Sequence, residues 1–193
     1  MGLGVIGYYL IGINILGFIL FGINTYLYTY TKSGQIDVVL TIVSLAGGSL
    51  GIILGILLLD RKAEKGNMMS RVFVICILVI QIVIILFFTG ERKEAISFAF
   101  IEFFVRNKLL IIYLLFINIV TFIVFAIDKY NAIKHRSRIR IVTLLFMAFI
   151  GGSIGGLLAM YIFRHKIRKD YFSVGLPMIL IMQIILIFYI MNS

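Results

Sequence analysis

Six long apolar stretches, about 3–28, 38–59, 72–89, 109–127, 141–163 and 174–191, alternate with short polar segments along this chain. Each holds roughly 18–25 residues, enough to cross a hydrocarbon core of about 30 Å as a helix. A lipid-exposed backbone has to satisfy its own hydrogen bonds, so these stretches are predicted to be helices. No Asp, Glu, Lys or Arg lies near the middle of any of them. A proton-coupled transporter normally places an ionisable group there, so its absence speaks against a proton pump or antiporter more than against a passive pore.

The pattern is written twice. Residues 9–65 slide by 104 positions onto 113–169 without a gap. Tyr9, Asn14, Phe18, Phe21 and Tyr26 fall on Tyr113, Asn118, Phe122, Phe125 and Tyr130. Gly47-Gly48-Ser49-x-Gly51 falls on Gly151-Gly152-Ser153-x-Gly155, and Lys62 and Lys65 fall on Lys166 and Lys169. About a third of the pairs are identical, more than a shared apolar composition gives in register. The expected architecture is therefore an all-α integral membrane protein of two homologous three-segment repeats related by a pseudo-two-fold. Its parts are a diverged first repeat over 1–89, a linker over 90–108 and a second repeat over 109–193. Within the linker, Glu94 to Arg106 reads as a short interfacial helix carrying Phe98, Ile101 and Phe104.

Composition supports the membrane reading. The chain is 62% hydrophobic and 13% charged, where soluble domains carry about 25% charged residues. Tryptophan is absent, leaving ten tyrosines to serve the membrane interfaces. A single cysteine, Cys76, excludes an internal disulfide and a cysteine-based metal site. The N-terminus has no basic region ahead of its apolar run and reads as a first span rather than a removable signal. Neither a metal nor a cofactor is expected.

The net charge of +10 sits in the short loops, where it directs insertion or meets anionic headgroups. No basic face is separable from the membrane-flanking loops, which argues against nucleic acid. Six simple spans would invert one repeat relative to the other and divide the Lys and Arg residues nine against nine, so the positive-inside rule would decide nothing. If instead the second segment of each repeat turns back at its glycines, the division becomes fourteen against four. Gly47, Gly48, Gly51, Gly151, Gly152 and Gly155 are then helix breaks, since glycine tolerates the backbone angles a hairpin needs. In the straight-helix alternative the same glycines serve close helix packing.

The candidate chemistry lies mainly in the second repeat. It reads Asp128-Lys129-Tyr-Asn-Ala132, Arg138-Ile139, Gly151-Gly152-Ser153-Ile-Gly155 and Arg164-His165-Lys166-Ile-Arg168-Lys169, followed by Phe172. Over about 113–191 this resembles a small bacterial membrane-domain family of unknown function that in some species is fused behind a cold-shock domain. The marks of that family are Asp-Lys-x-x-Ala at the end of the first apolar helix, Gly-Gly-x-x-Gly in the second, and Arg-His-Lys-x-x-Lys-x-x-Phe after it. Arg140 and Ile141 stand where the family usually has Pro and Glu, while Asp37 keeps an acid at the position matching Ile141. The first repeat has Asn24-Thr25 for Asp-Lys and Asp60-Arg61-Lys62 for Arg-His-Lys, as in a fused dimer whose halves specialised. The resemblance implies a fold and supplies no activity.

Asp128, Lys129, Arg164, His165, Lys166 and Lys169 are expected to converge at the cytoplasmic interface as an anion- or lipid-binding cluster. Alternatively, Asp128 merely neutralises part of a basic run. A His–Asp pair suggests acid–base chemistry, but no nucleophile stands at a recognisable spacing, so an enzyme is not expected. Asn14 and Asn118 line a pore or bond across helices, as do the buried-polar candidates Gln81 and Gln183. The leading functional reading is a small channel or transporter-like protein with a basic cytoplasmic mouth, multi-pass in the bacterial cytoplasmic membrane. The alternatives are an anionic-lipid-binding scaffold and a membrane partner of a stress or immunity system. The expected partners are membrane lipids, with a homo-oligomer or a membrane protein partner also open.

Overall fold

The computed structural model describes residues 3–30, 36–60, 67–90 and 96–193. Regular structure among them is helical throughout. The cations Lys32, Arg61, Lys62, Lys65, Arg92 and Lys93 lie outside the described residues. Six helical segments are long and apolar enough to cross a membrane. They leave large side chains such as Tyr8, Phe88 and Leu109 exposed at 80%, 82% and 83%. Apolar exposure on that scale is untenable in water and natural against lipid tails. The protein is a multi-pass membrane protein.

Two compact units form, Met1–Ile82 and Val83–Ser193. The first contains α1 (Leu3–Tyr30), α2 (Asp37–Val43), a π turn (Ser44–Gly48), α3 (Ser49–Leu59) and most of α4 (Met68–Thr89). The second contains the end of α4, α5 (Phe100–Arg106), α6 (Lys108–Ile133), α7 (Ile141–Met147), a π turn (Ala148–Gly152), α8 (Ser153–Ile162), α9 (Asp170–Ser173) and α10 (Gly175–Met191). Pro177 lies in the first turn of α10, where a missing N–H costs nothing.

The second apolar segment of each unit does not run straight. In the second unit, Ile139 N donates to Asp128 Oδ1 (2.9 Å), and His165 Nε2 and Lys166 Nζ reach Oδ2 of the same carboxylate (2.9 and 2.6 Å). Residues before α7 and after α8 thus meet at one side chain. Halfway between them, the Ile150 carbonyl accepts from Tyr113 Oη (2.5 Å), four turns back along α6. A straight helix of this length would hold its ends about 33 Å apart. The segment therefore enters beside Asp128, reaches Tyr113 and returns. The first unit does the same. Ile36 N donates to Asn24 Oδ1 (2.9 Å), Tyr9 Oη donates to the Ala46 carbonyl (2.8 Å), and Leu59 comes back beside Gly22. Leu40 and Val43 of α2 pack with Ile52 and Ile56 of α3, Phe21 of α1 and Val74 of α4 in one apolar cluster.

Gly47 (φ 115°) and Gly151 (φ 128°) make the reversal. Each sits in the left-handed region just past the first arm, where a glycine ends a helix without steric penalty. Breaking a helix leaves its last carbonyls without partners, and lipid offers none. Three side chains supply them in each unit. Gln183 Nε2 donates to Ala148 O (2.8 Å) and Phe149 O (3.0 Å), Tyr113 to Ile150 O, and Asn118 Nδ2 to Gly151 O (2.9 Å). In the first unit, Gln81 Nε2 serves Ser44 O (2.6 Å) and Leu45 O (3.4 Å), Tyr9 serves Ala46 O, and Asn14 Nδ2 serves Gly47 O (3.0 Å). The Asn Oδ1 atoms turn the other way and accept from the start of the second arm, at Gly51 N (2.8 Å) and Gly155 N (2.7 Å). Ser49 and Ser153 hold the oxygens of Gln81 and Gln183.

The arms lie close against the first helix. A Cβ on Gly155 would overlap the Asn118 carbonyl oxygen, and one on Gly152 would overlap Thr121 Oγ1. A Cβ on Gly48 would come within 2.9 Å of the Ile13 carbonyl oxygen. Of the six glycines expected as breaks, Gly47 and Gly151 make the reversal, while Gly48, Gly51, Gly152 and Gly155 lie close against the first helix.

Two expectations on helix limits are corrected. Glu94 lies outside the described residues; among the described ones the linker helix covers Phe100–Arg106, residues 96–99 are irregular, and Ser97 is pinned through its backbone N and O to Asn192 (2.7 and 3.2 Å). Helix α6 runs past Asp128 to Ile133, so Asp128 lies inside the helix rather than at its end.

Candidate functional site

The expected cluster forms in part. Asp128 is fully buried, with its two carboxylate oxygens divided between Ile139 N on one and His165 and Lys166 on the other. Lys166 is 12% exposed and also stands over the Phe172 ring, 4.9 Å from its centroid. Phe172 meets Phe125 edge to face at 5.5 Å, so apolar walls enclose the ion pair. A cation over an aromatic face gains roughly 0.5–2 kcal/mol, more when desolvated. The Asp128–Lys166 pair is therefore chiefly an anchor for the loop after α8.

The other three expected members stay outside it. Lys129 is half-buried, Arg164 and Lys169 are exposed, and none of the three bonds Asp128. The reason is local. The α8 helix ends with His165 N on Met160 O (3.0 Å) and Arg164 N on Tyr161 O (3.2 Å), a Schellman cap with Arg164 at its left-handed position (φ 44°). That turn sends His165 and Lys166 inward and leaves Arg164 outside. Lys169 instead carries the carbonyl that accepts from Phe172 N (2.8 Å) and Ser173 N (2.9 Å) at the start of α9.

The matching place in the first unit has other chemistry. Asn24 replaces Asp128, accepts from Ile36 N and donates to Asp37 Oδ1 (3.2 Å). Asp60, matching Arg164, holds Arg71 (3.2 Å) and Asn67 (2.8 Å). Among the described residues, two acids, Asp37 and Asp60, stand at this end of the first unit, each bonded to a neighbouring side chain.

The expected polar residues Asn14 and Asn118 are caps of the hairpin break. Sequence reading missed Tyr9 and Tyr113, which cap the neighbouring carbonyls of Ala46 and Ile150, although both were already paired in the 104-residue register. Gln81 and Gln183 escaped that register because they are 102 residues apart. Among the described residues no group of three or more His, Cys, Asp or Glu is placed to hold a metal ion.

Residues 118–172 match the family described as "Protein of unknown function (DUF1294)". The chain is also 40% identical over 75 residues to "Uncharacterized protein YsdA" of Bacillus subtilis (strain 168), covering 39% of this chain and 84% of the relative. The matched family segment holds Asn118, the hairpin and the whole Asp128–His165–Lys166 contact. No solved structure matches the chain significantly.

Proposed function

The chain belongs to the DUF1294 family of proteins of unknown function, and from that kinship, which carries no activity, we propose a membrane protein that binds anionic lipid headgroups along one basic edge. The observation that supports this most is the distribution of cations in the second unit. Lys129, Lys134, Arg136, Arg138 and Arg140 lie between α6 and α7 or just before that gap, and Arg164, Arg168 and Lys169 follow α8, while Lys166 is turned inward to Asp128. Both stretches sit at the Asp128 end of the hairpin. Arg106 and Lys108, among the described residues, flank the opposite end of α6. In this reading each unit is one copy of a duplicated element, with two crossing helices and a hairpin that enters and leaves on the cytoplasmic side. The membrane is the bacterial cytoplasmic membrane, as kinship with a Bacillus protein suggests. Each cation near an anionic leaflet contributes about 1 kcal/mol.

Labelling tests the topology. In a Cys76→Ala background, Arg136→Cys and Arg168→Cys are expected to react from the cytoplasmic side only, and Lys108→Cys from the outer side only. Labelling of Arg136→Cys and Arg168→Cys from opposite sides would restore six straight spans.

The hairpin favours a second reading, a channel or transporter-like protein, because broken backbone at membrane depth commonly lines a cavity. It is the weaker reading, because each carbonyl of the break already accepts from a side chain. Ion or solute flux in protein-loaded vesicles above that of empty ones would reverse the order.

A further inference from the structure

We propose that the loops 134–140 and 164–169 together form a receptor for a dianionic phosphate group, with Asp128 as its internal brace and Arg164 as its principal contact. This deepens the lipid-binding reading and rests on it. One carboxylate ties the two loops together. Its Oδ1 holds the backbone of the first at Ile139 (2.9 Å), and its Oδ2 holds the side chains of the second at His165 (2.9 Å) and Lys166 (2.6 Å). The Asp128 charge is matched by Lys166 inside the fold. The exposed guanidinium groups of Arg136, Arg138 and Arg140 on one loop and Arg164 and Arg168 on the other then have no acid bonded to them among the described residues.

A second observation points the same way. Helix α6 ends with Arg136 N on Asn131 O (2.9 Å) and His135 at φ 52°, and α8 ends with His165 N on Met160 O and Arg164 at φ 44°. Glycine normally takes this left-handed position. A side chain there adds backbone strain, and such strain gathers at functional sites. The first loop places an imidazole, His135, where glycine would fit better, and the second places a cation, Arg164. For insertion charge alone, a cation one residue away would serve as well. Arginine also grips a phosphate with a planar fork, which lysine cannot do. Five guanidiniums on two tethered loops exceed what a singly charged phosphodiester needs and suit a phosphomonoester or a diphosphate. The group could belong to a lipid headgroup or to a free solute, and the test separates them.

Full-length protein in neutral detergent is offered phosphatidic acid or phosphatidylglycerol, and retained lipid is counted by native mass spectrometry. Inorganic pyrophosphate is then added as a competitor. The wild type is expected to retain phosphatidic acid about tenfold better than phosphatidylglycerol. Arg164→Gly is expected to abolish that preference while melting no lower than the wild type, since glycine relieves the left-handed strain. Arg164→Lys keeps the charge and is expected to lose most of the preference. Ile139→Pro removes the N–H tether without changing charge and should lower it too; should that variant misfold, the Arg164 pair still decides. Displacement of the lipid by pyrophosphate assigns the site to free phosphates, and resistance to it assigns the site to the headgroup. Equal retention of both lipids by the wild type overturns the receptor and leaves lipid binding standing, as does full preference in Arg164→Gly and Arg164→Lys. Retention of neither lipid, with no pyrophosphate binding, overturns both readings.

Discussion

Gly155→Ala is expected to cost about 3–5 kcal/mol and to remove most folded protein. The added Cβ meets backbone, the Asn118 carbonyl oxygen, which cannot swing aside as a side-chain tip would. Overpacking of this kind costs about 1–3 kcal/mol. Moving α8 away from α6 also breaks the bond between Gly155 N and Asn118 Oδ1 (2.7 Å) and leaves two polar groups bare, adding about 2 kcal/mol. The neighbour Gly156 is the control. A Cβ there would lie 3.4 Å from the Phe125 ring, an ordinary contact, so Gly156→Ala should stay within about 1 kcal/mol of wild type. The protein has no tryptophan, so melting is best followed by circular dichroism at the helix band. Equal melting of Gly155→Ala and wild type would mean that the returning arm does not pack on α6 in this way.

Asp128→Ala should cost about 3–5 kcal/mol, because Lys166 and His165 would face an apolar wall without their acid. Asp128→Asn should cost somewhat less, about 2–4 kcal/mol, because it also leaves Lys166 without its acid. It keeps the acceptor for Ile139 N, as Asn24 does for Ile36 N in the first unit. Asp128→Asn combined with Lys166→Met should recover most of the loss, since a buried pair can often be exchanged for apolar packing. A double variant no more stable than Asp128→Ala would show that Lys166 stabilises the fold by something other than its pairing with Asp128.

The apolar stretches were legible because length and hydropathy suffice to identify a helix in lipid. Whether the second and fifth apolar stretches cross or turn was not legible from their own residues. A straight helix and a broken one share the same apolar pattern, and Gly-Gly suits either. Only the distribution of Lys and Arg favoured the turn. What makes the turn stable lies elsewhere in the chain, in Tyr113 and Asn118 before it and Gln183 after it. The Asp128 pairing was legible in outline because an acid at the edge of one apolar stretch faces a run of three cationic or imidazole side chains, Arg164-His165-Lys166, at the edge of the next. That Arg164 and Lys169 stay outside it was not, because the cap at Arg164 puts a non-glycine residue in a backbone region that sequence patterns assign to glycine.

The seal on each hairpin has a consequence for biogenesis. Of the four carbonyls exposed by the break at Gly151, Tyr113 and Asn118 can cover two as soon as α6 is in place. Ala148 and Phe149 wait for Gln183, which is translated 35 and 34 residues after them. Until α10 arrives, the tip of the hairpin carries two bare acceptors that hydrocarbon will not solvate. On the proposed topology, the nascent hairpin is expected to stay sheltered at the insertion machinery or near the headgroups, and to reach full depth only when its last helix closes over it.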